Sequence, residues 1–427
     1  MARSGLVGTL LSGYESLRDW QQTLYTDLHR HPELSHQEHR TAGVVSEELR
    51  GLSCAAGTEV QVHTGVGGTG VVAVLQRGAG PAVLLRADMD ALPVAEQSGL
   101  RYASEATATD TAGRTVPVMH ACGHDVHVAC LLAAVRLFAE ADSGWAGTVV
   151  AVFQPGEESA DGARGMVADG LAQLIPVPDV ALGQHVLARP AGTVGPRSGP
   201  FLSQADSVRI TLYGRGSHGS MPHLSVDPAV LAAMVVVRLQ TVVSREVPPG
   251  EFAVLTVGHL AVGAKSNIID DHAVLELNIR TYDPAIRELL LAAIHRIAIA
   301  ESAASGSPRD PEIEVYDSYP LTCNDTVVTA RVAEAFTAYF GENSVDYGRQ
   351  TASEDFSAIP DALGIPYLYW GFGGTDPEQY RRAEERGTVS SDIPANHSPA
   401  FAPVLQPTLR TGTEALVSAA LAWLAAD

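Results

Sequence analysis

Cysteine is scarce in this chain of 427 residues: Cys54, Cys122, Cys130 and Cys323 are scattered along it. Four such positions make no disulfide framework, which excludes a small stapled secreted scaffold and fits a reducing compartment. Positive charge is also short, with 28 Lys and Arg against 49 Asp and Glu, a net of −21. That balance argues against a nucleic-acid partner and favours solubility, and an anionic substrate would need a local positive site, from a metal or an arginine. Long hydrophobic runs are missing too: no apolar stretch approaches a membrane span, so no membrane partner is expected. The opening MARSGLVGTLLSGYESLRDW has a short apolar patch without a small-residue cleavage site, so no secretory leader is expected and the location implied is cytoplasmic. Neither an internal repeat nor a low-complexity segment stands out.

What is present is a globular composition, 46% hydrophobic and 18% charged, on a chain long enough for two or three domains. The first fifty residues read as two helices broken at Pro32, with Ser35 and Glu38 spaced as a capping box for the second. Buried strands are expected at 70–75, 82–90, 147–159 and 177–186, alternating with a helix from Val126 that Asp125 can cap. This alternation predicts an α/β, doubly wound domain with its site at the carboxyl ends of strands. Near residue 195 the pattern changes to strand 206–213, helix 226–244, strands 252–260 and 272–281, helix 284–304 and strand 312–317. That βαββαβ order predicts a ferredoxin-like α+β unit. A helix at 325–340, a strand at 364–372 and a closing helix near 404–425 follow. The economical division is a larger domain in two parts, 1–197 and 313–427, with 198–312 inserted.

Polar residues collect at the predicted strand ends: Asp88 and Asp90 in LLRADMDALP, Cys122 and His124 in MHACGHD, Glu157 and Glu158 in FQPGEES, His185 in GQHV, and His397 in PANHSPAF. Cys122 and His124, two apart in an extended loop, project to one side. Thiolate, imidazole and carboxylate together suit zinc or a neighbouring divalent transition metal. Adjacent glutamates repel, and a structural role rarely needs both. A natural division gives Glu158 to a metal and leaves Glu157 as general base on a metal-activated water.

Plainer readings stand beside this one. Cys54, Cys130 and Cys323 read as inert buried hydrophobes, and His29, His31, His36, His39, His63 and His295 as surface or capping residues. The glutamates could be a solvated pair on a loop. Cys122 could be a nucleophile activated by histidine, which would leave Glu157, Glu158, His185 and His397 without a purpose.

The stretches LHRHPELSHQEHRTA, LLRADMDALP, MHACGHD, FQPGEESADGARGM, GSHGSMPH, SNIIDD, ASEDFS and NHSPAF, in this order, closely resemble the aminoacylase and carboxypeptidase-G-like metallopeptidases. The match is to their amidohydrolase branch, which includes hippurate hydrolase, N-acyl-amino-acid hydrolases and the plant auxin-conjugate hydrolases. It runs from about residue 24 to the final helix. The resemblance implies a catalytic domain with a zinc-peptidase-like mixed sheet and an inserted lid that commonly also forms a homodimer. It implies two divalent ions per chain, manganese or zinc, sometimes cobalt or nickel. Cys122, His124, Glu158, His185 and His397 match the metal ligands, Glu157 the catalytic base and Asp90 its supporting aspartate. His218 matches a lid histidine that stabilises the tetrahedral intermediate, and Asn267 and Arg280 match positions that hold a substrate carboxylate. The implied substrate is an N-acyl amino acid or similar amide; a metallo-dipeptidase or carboxypeptidase on the same scaffold is the alternative. The sequence departs from the pattern at Gly156, where alanine is usual, and at Gln184, where an apolar residue is usual and an altered pocket wall is expected. IIDD lacks a usual proline, and TASEDFS lacks the methionine and glycine that often precede SEDF.

Overall fold

Seven strands form the principal sheet, in the order Thr58–Val66, Gly70–Arg77, Gly147–Gln154, Ala82–Asp88, Val180–Pro190, Tyr367–Thr375 and Val194–Gly195. The central four run parallel, and the flanking pairings are antiparallel, so the sheet is mixed. The structure, a computed structural model, describes residues 2–425, with side chains from Val7 onward. Strands Ala82–Asp88 and Gly147–Gln154 are buried along their whole length. Continuous apolar runs, rather than alternation, are what a strand covered on both faces requires. Helix His124–Glu140 is buried at every position except Arg136 and Glu140, and with helix Leu405–Leu424 it fills the same core as the sheet.

The edge strand Thr58–Val66 had no counterpart among the expected strands. Its TEVQVHTGV alternates and is largely solvent-facing, so no apolar run announces it. The capping box is not formed either. Glu38 stands at the N-cap of helix His39–Arg50 without a side-chain cap, and Ser35 and Glu38 bond elsewhere. Asp125 lies inside the first turn of its helix, whose N-cap is Gly123, and its carboxylate meets His29 Nδ1 at 2.7 Å. His29 is therefore buried, not a surface or capping residue. Cys54 and Cys323 are exposed, and Cys130 is buried.

The chain divides into two units: one of residues 1–201, 323–349 and 355–427, the other of residues 202–322 and 350–354. The second contains an antiparallel sheet ordered Ala253–Val262, His272–Thr281, Gln204–Tyr213 and Glu312–Tyr319, with helices Pro228–Thr241 and Pro284–Ala304 packed on it. Each helix opens on an aspartate, Asp227 or Asp283, whose side chain accepts a backbone N–H, followed by proline in the first turn. One helical stretch, Pro228–Glu246, is apolar and long enough by composition to cross a membrane, which the sequence reading did not anticipate. One face of it, including Leu231, Val235 and Leu239, is buried in the core of this unit.

Candidate metal centre

The carboxyl ends of the central parallel strands deliver the polar groups. Asp88 ends one strand and Asp90 follows it; Glu157 and Glu158 follow the next; His185 lies on the third. Two sets of three donor atoms converge, Cys122 with His124 and His185, and Cys122 with Glu158 and His397, each set within 4.8 Å. Cys122 Sγ is 3.4 Å from His185 Nε2 and 3.3 Å from His397 Nε2, which is 3.3 Å from Glu158 Oε1. A tetrahedral ion about 2.0–2.3 Å from its ligands separates them by roughly 3.5 Å, so these spacings suit shared coordination.

The remaining hydrogen bonds fix which nitrogen faces the centre. His185 Nδ1 donates to the Val186 carbonyl at 2.7 Å, and His124 Nδ1 donates to Asp90 Oδ1 at 3.2 Å, leaving both Nε2 lone pairs directed inward. His124 Nε2 and Glu158 Oε1 are buried without a hydrogen bond; an orphaned group of this kind costs about 1–3 kcal/mol unless something binds it. Two soft or borderline donor types around one thiol, with unsatisfied atoms aimed at a common space, fit divalent transition-metal ions. The Cys122 sulfur, then Glu158, pushes the His397 imidazole up to about 10. Burial opposes ionisation of Asp88, yet Arg86, ahead of His124 and His127, holds its carboxyl well below the usual carboxylate range. Burial also opposes ionisation of Asp90, but the hydrogen bond and charge of His124, with the bonds from Ser35 and the Glu158 N–H, together lower its carboxyl.

Several supporting residues had no assigned role in the sequence reading. His127, one turn beyond His124, donates from Nδ1 to Asp88 Oδ1 and accepts the Val186 N–H on Nε2 at 2.9 Å, so it is saturated and holds the His185 backbone in place. Asp88 is itself held by buried Arg86, which also reaches Gln154 and Asp355. Asn396 Nδ2 donates to the carbonyls of Cys122 and Val186, tying together the segments that carry Cys122, His185 and His397. The signals were faint: His127 repeats the helical spacing of His124, and Asn396 adjoins a ligand candidate. Gln184 turns away from the centre; its Nε2 donates to the Gly412 carbonyl and it is buried against the closing helix, so the altered pocket wall is not seen there.

His218, Asn267 and Arg280 all lie in the second unit. Strand Ser217–His218 pairs with Ile268–Ile269, and the Gly219 N–H donates to the Asn267 carbonyl at 2.8 Å, so His218 and Asn267 are neighbours. The Ser220 N–H donates to His218 Nδ1 at 3.0 Å, which places the imidazole proton on Nε2. Arg280, on strand His272–Thr281, bonds Asn278 Oδ1 and the Thr351 carbonyl, both at 2.9 Å.

The chain is similar to known proteins. An N-acetyl-L-cysteine deacetylase of Bacillus subtilis is 34% identical over 350 residues, 81% of this chain and 79% of its own. Thermostable carboxypeptidase 1 of Saccharolobus solfataricus is 31% identical over 401 residues, 93% of each chain. The crystal structure of the Bacillus subtilis YXEP protein, described as a dinuclear metal binding peptidase from the M20 family, matches with a TM-score of 0.73 and 26% identity, over 95% of this chain and 98% of that one. The sequence model of peptidase family M20/M25/M40 matches residues 84–395. The chain is a hydrolase that belongs to peptidase family M20/M25/M40.

Proposed function

We propose that this protein hydrolyses the amide bond of N-acyl amino acids or similar amides with a free carboxylate, using two divalent ions. The observation that carries this reading is the pair of three-donor clusters sharing Cys122, with the Glu157 carboxylate next to them, grouped with His124 and Glu158. Cys122, His124, Glu158, His185 and His397 would hold the ions, manganese or zinc as the family resemblance implies. The ions would supply Lewis acidity at the scissile carbonyl and bring water into the range of a carboxylate base.

Glu157 takes the proton of the attacking water as the water oxygen bonds to the acyl carbon. It then delivers that proton to the amine nitrogen as the C–N bond breaks. Asp90 holds His124 in the inward-facing tautomer. His218, with its proton on Nε2, donates to the developing oxyanion, and Asn267 and Arg280 take the substrate carboxylate. The −21 charge of the chain means that a substrate carboxylate needs a local cation, and Arg280 stands at the position that the family resemblance gives to it. The βαββαβ order of the second unit supports its reading as a ferredoxin-like lid inserted between the two parts of the catalytic domain. Exposed Val230, Met234 and Val237 on one helix face, and Leu260 on the edge strand, support a homodimer through this unit. Free cysteines support a cytoplasmic setting.

The carboxypeptidase likeness keeps peptide cleavage next to a free carboxylate as the second reading. Treatment with chelator, then manganese or zinc, with a panel of N-acyl amino acids and unblocked dipeptides, tests both. Activity that disappears and returns with metal, highest on the acylated substrates, is the expected outcome. Preference for unblocked dipeptides would select the second reading. Indifference to chelator with loss on alkylation would make Cys122 a nucleophile.

A further inference from the structure

The PELSHQE stretch, residues 32–38, leads into helix His39–Arg50. Glu33 accepts the N–H groups of Arg40 and Thr41 in its first turn, at 2.9 and 2.8 Å, whereas Ser35, His36 and Glu38 turn away from the helix end. Glu38 is fully buried. Its Oε1 accepts the backbone N–H of His36 at 2.8 Å and of Gly156 at 2.9 Å, and its Oε2 accepts the Thr69 hydroxyl at 2.7 Å. Ser35 Oγ donates to Asp90 Oδ2 at 2.7 Å, the same oxygen that accepts the Glu158 N–H at 3.0 Å. His36 closes over the loop from outside. Its Nε2 meets Asp161 Oδ1 at 2.7 Å, and a Cβ at Gly156 would lie 2.5 Å from its ring. Gly156 has φ +58°, so both the backbone conformation and the close approach favour glycine where the family more often has alanine.

These bonds fix the loop of residues 155–161 on either side of the adjacent glutamates. Two neighbouring carboxylates repel, and a loop held only at its ends would let them splay apart. We infer that Glu38 and Ser35 are positioning residues, which hold the backbone at Gly156 and Glu158 so that the Glu157 carboxylate keeps its place for proton transfer, with His36 packed on Gly156 as the outer wall. This rests on the reading of Glu157 as general base. A displacement of about 1 Å at a reacting group costs on the order of a hundredfold in rate.

Steady-state kinetics on the metal-loaded enzyme, with metal content per chain measured by mass spectrometry, test the bracing. Glu38→Ala should lower kcat by about 10- to 100-fold while KM stays within about twofold and metal content stays at the wild-type level. Glu38→Gln keeps an oxygen for the two N–H groups and offers an amide to Thr69, so it should recover most of the loss. Gly156→Ala should also slow turnover, and adding His36→Ala should restore part of it. A folded Glu38→Ala with wild-type kcat, or Glu38→Gln no better than Ala, overturns the proposal. If Glu38→Ala fails to fold, the loop pair decides: no loss in Gly156→Ala, or no recovery with His36→Ala, overturns it. Glu157→Gln run in parallel separates the two readings. Full activity there removes the base assignment, whereas an inactive Glu157→Gln beside an unimpaired Glu38→Ala removes only the bracing.

Discussion

The donor cluster of the first unit and the polar side chains assigned to substrate in the second are held in different ways. Of the donors, Cys122 and His124 are buried, Glu158 and His185 are partly buried and only His397 is exposed; His124 and His185 each use the ring nitrogen that faces away from the centre in a hydrogen bond. Behind them stand Asp88, Arg86, His127 and Asn396. His218 is exposed and is oriented by Ser220 two residues along its own loop, and Arg280 is half-buried. Groups that must gather like-charged donors around one point are locked by a surrounding shell before anything binds. Groups that would meet a substrate keep free hydrogen-bonding capacity.

That contrast predicts a graded set of effects. Glu157→Gln should cut kcat by at least about a thousandfold, near the upper end of what general base catalysis supplies. Metal content should not change, because Glu158 and not Glu157 is assigned to the ions. A variant that loses metal as well would merge the two roles. His218→Ala should lower kcat by about a hundredfold and leave metal affinity untouched, as expected for one oxyanion donor. Loss of metal in that variant would break the distinction between the two regions.

The smallest effect is on stability. His29 lies between Asp125 and Glu96, at 2.7 and 3.1 Å; burial works against its charge, but the hydrogen bonds to Asp125 and then Glu96 prevail and raise it to about 9. Its folded value lies above the unfolded 6.5, so its contribution is full below pH 6.5 and is lost as pH rises through about 9. The amount is no more than about 3 kcal/mol. Melting temperatures from pH 6 to 9.5 should fall in the wild type and flatten in His29→Gln. Parallel curves would show that His29 is not charged in the folded protein.

Some of these features were legible in the sequence and some were not. The boundaries 272–281 and 284–304 were read correctly because alternation defines one and an Asp-Pro start defines the other. The strand-end positions of Asp88, Glu157 and Glu158 follow from apolar runs ending in polar residues, whereas His185 lies in the middle of strand Val180–Pro190, which continues past the expected end at 186. His29 was misjudged, although Leu17, Gln21, Leu24, Tyr25 and Leu28 mark the buried face of its helix and His29 falls on that face. Ser35 and Glu38 have capping-box spacing, and spacing cannot tell whether a side chain turns to its own helix or to a loop 118 residues away.

The sequence by itself determined the donor chemistry and most of the element types, because periodicity and side-chain type are local properties, but not the solvent-facing strand Thr58–Val66. Only the tertiary structure decided that Cys122 is shared by two of the donor trios, that both His127 nitrogens are already hydrogen-bonded, and that Ser35 and Glu38 bond to Asp90 and Gly156. Those outcomes depend on which nitrogen of each imidazole is already bonded and on backbone groups from distant segments, and no local pattern encodes either.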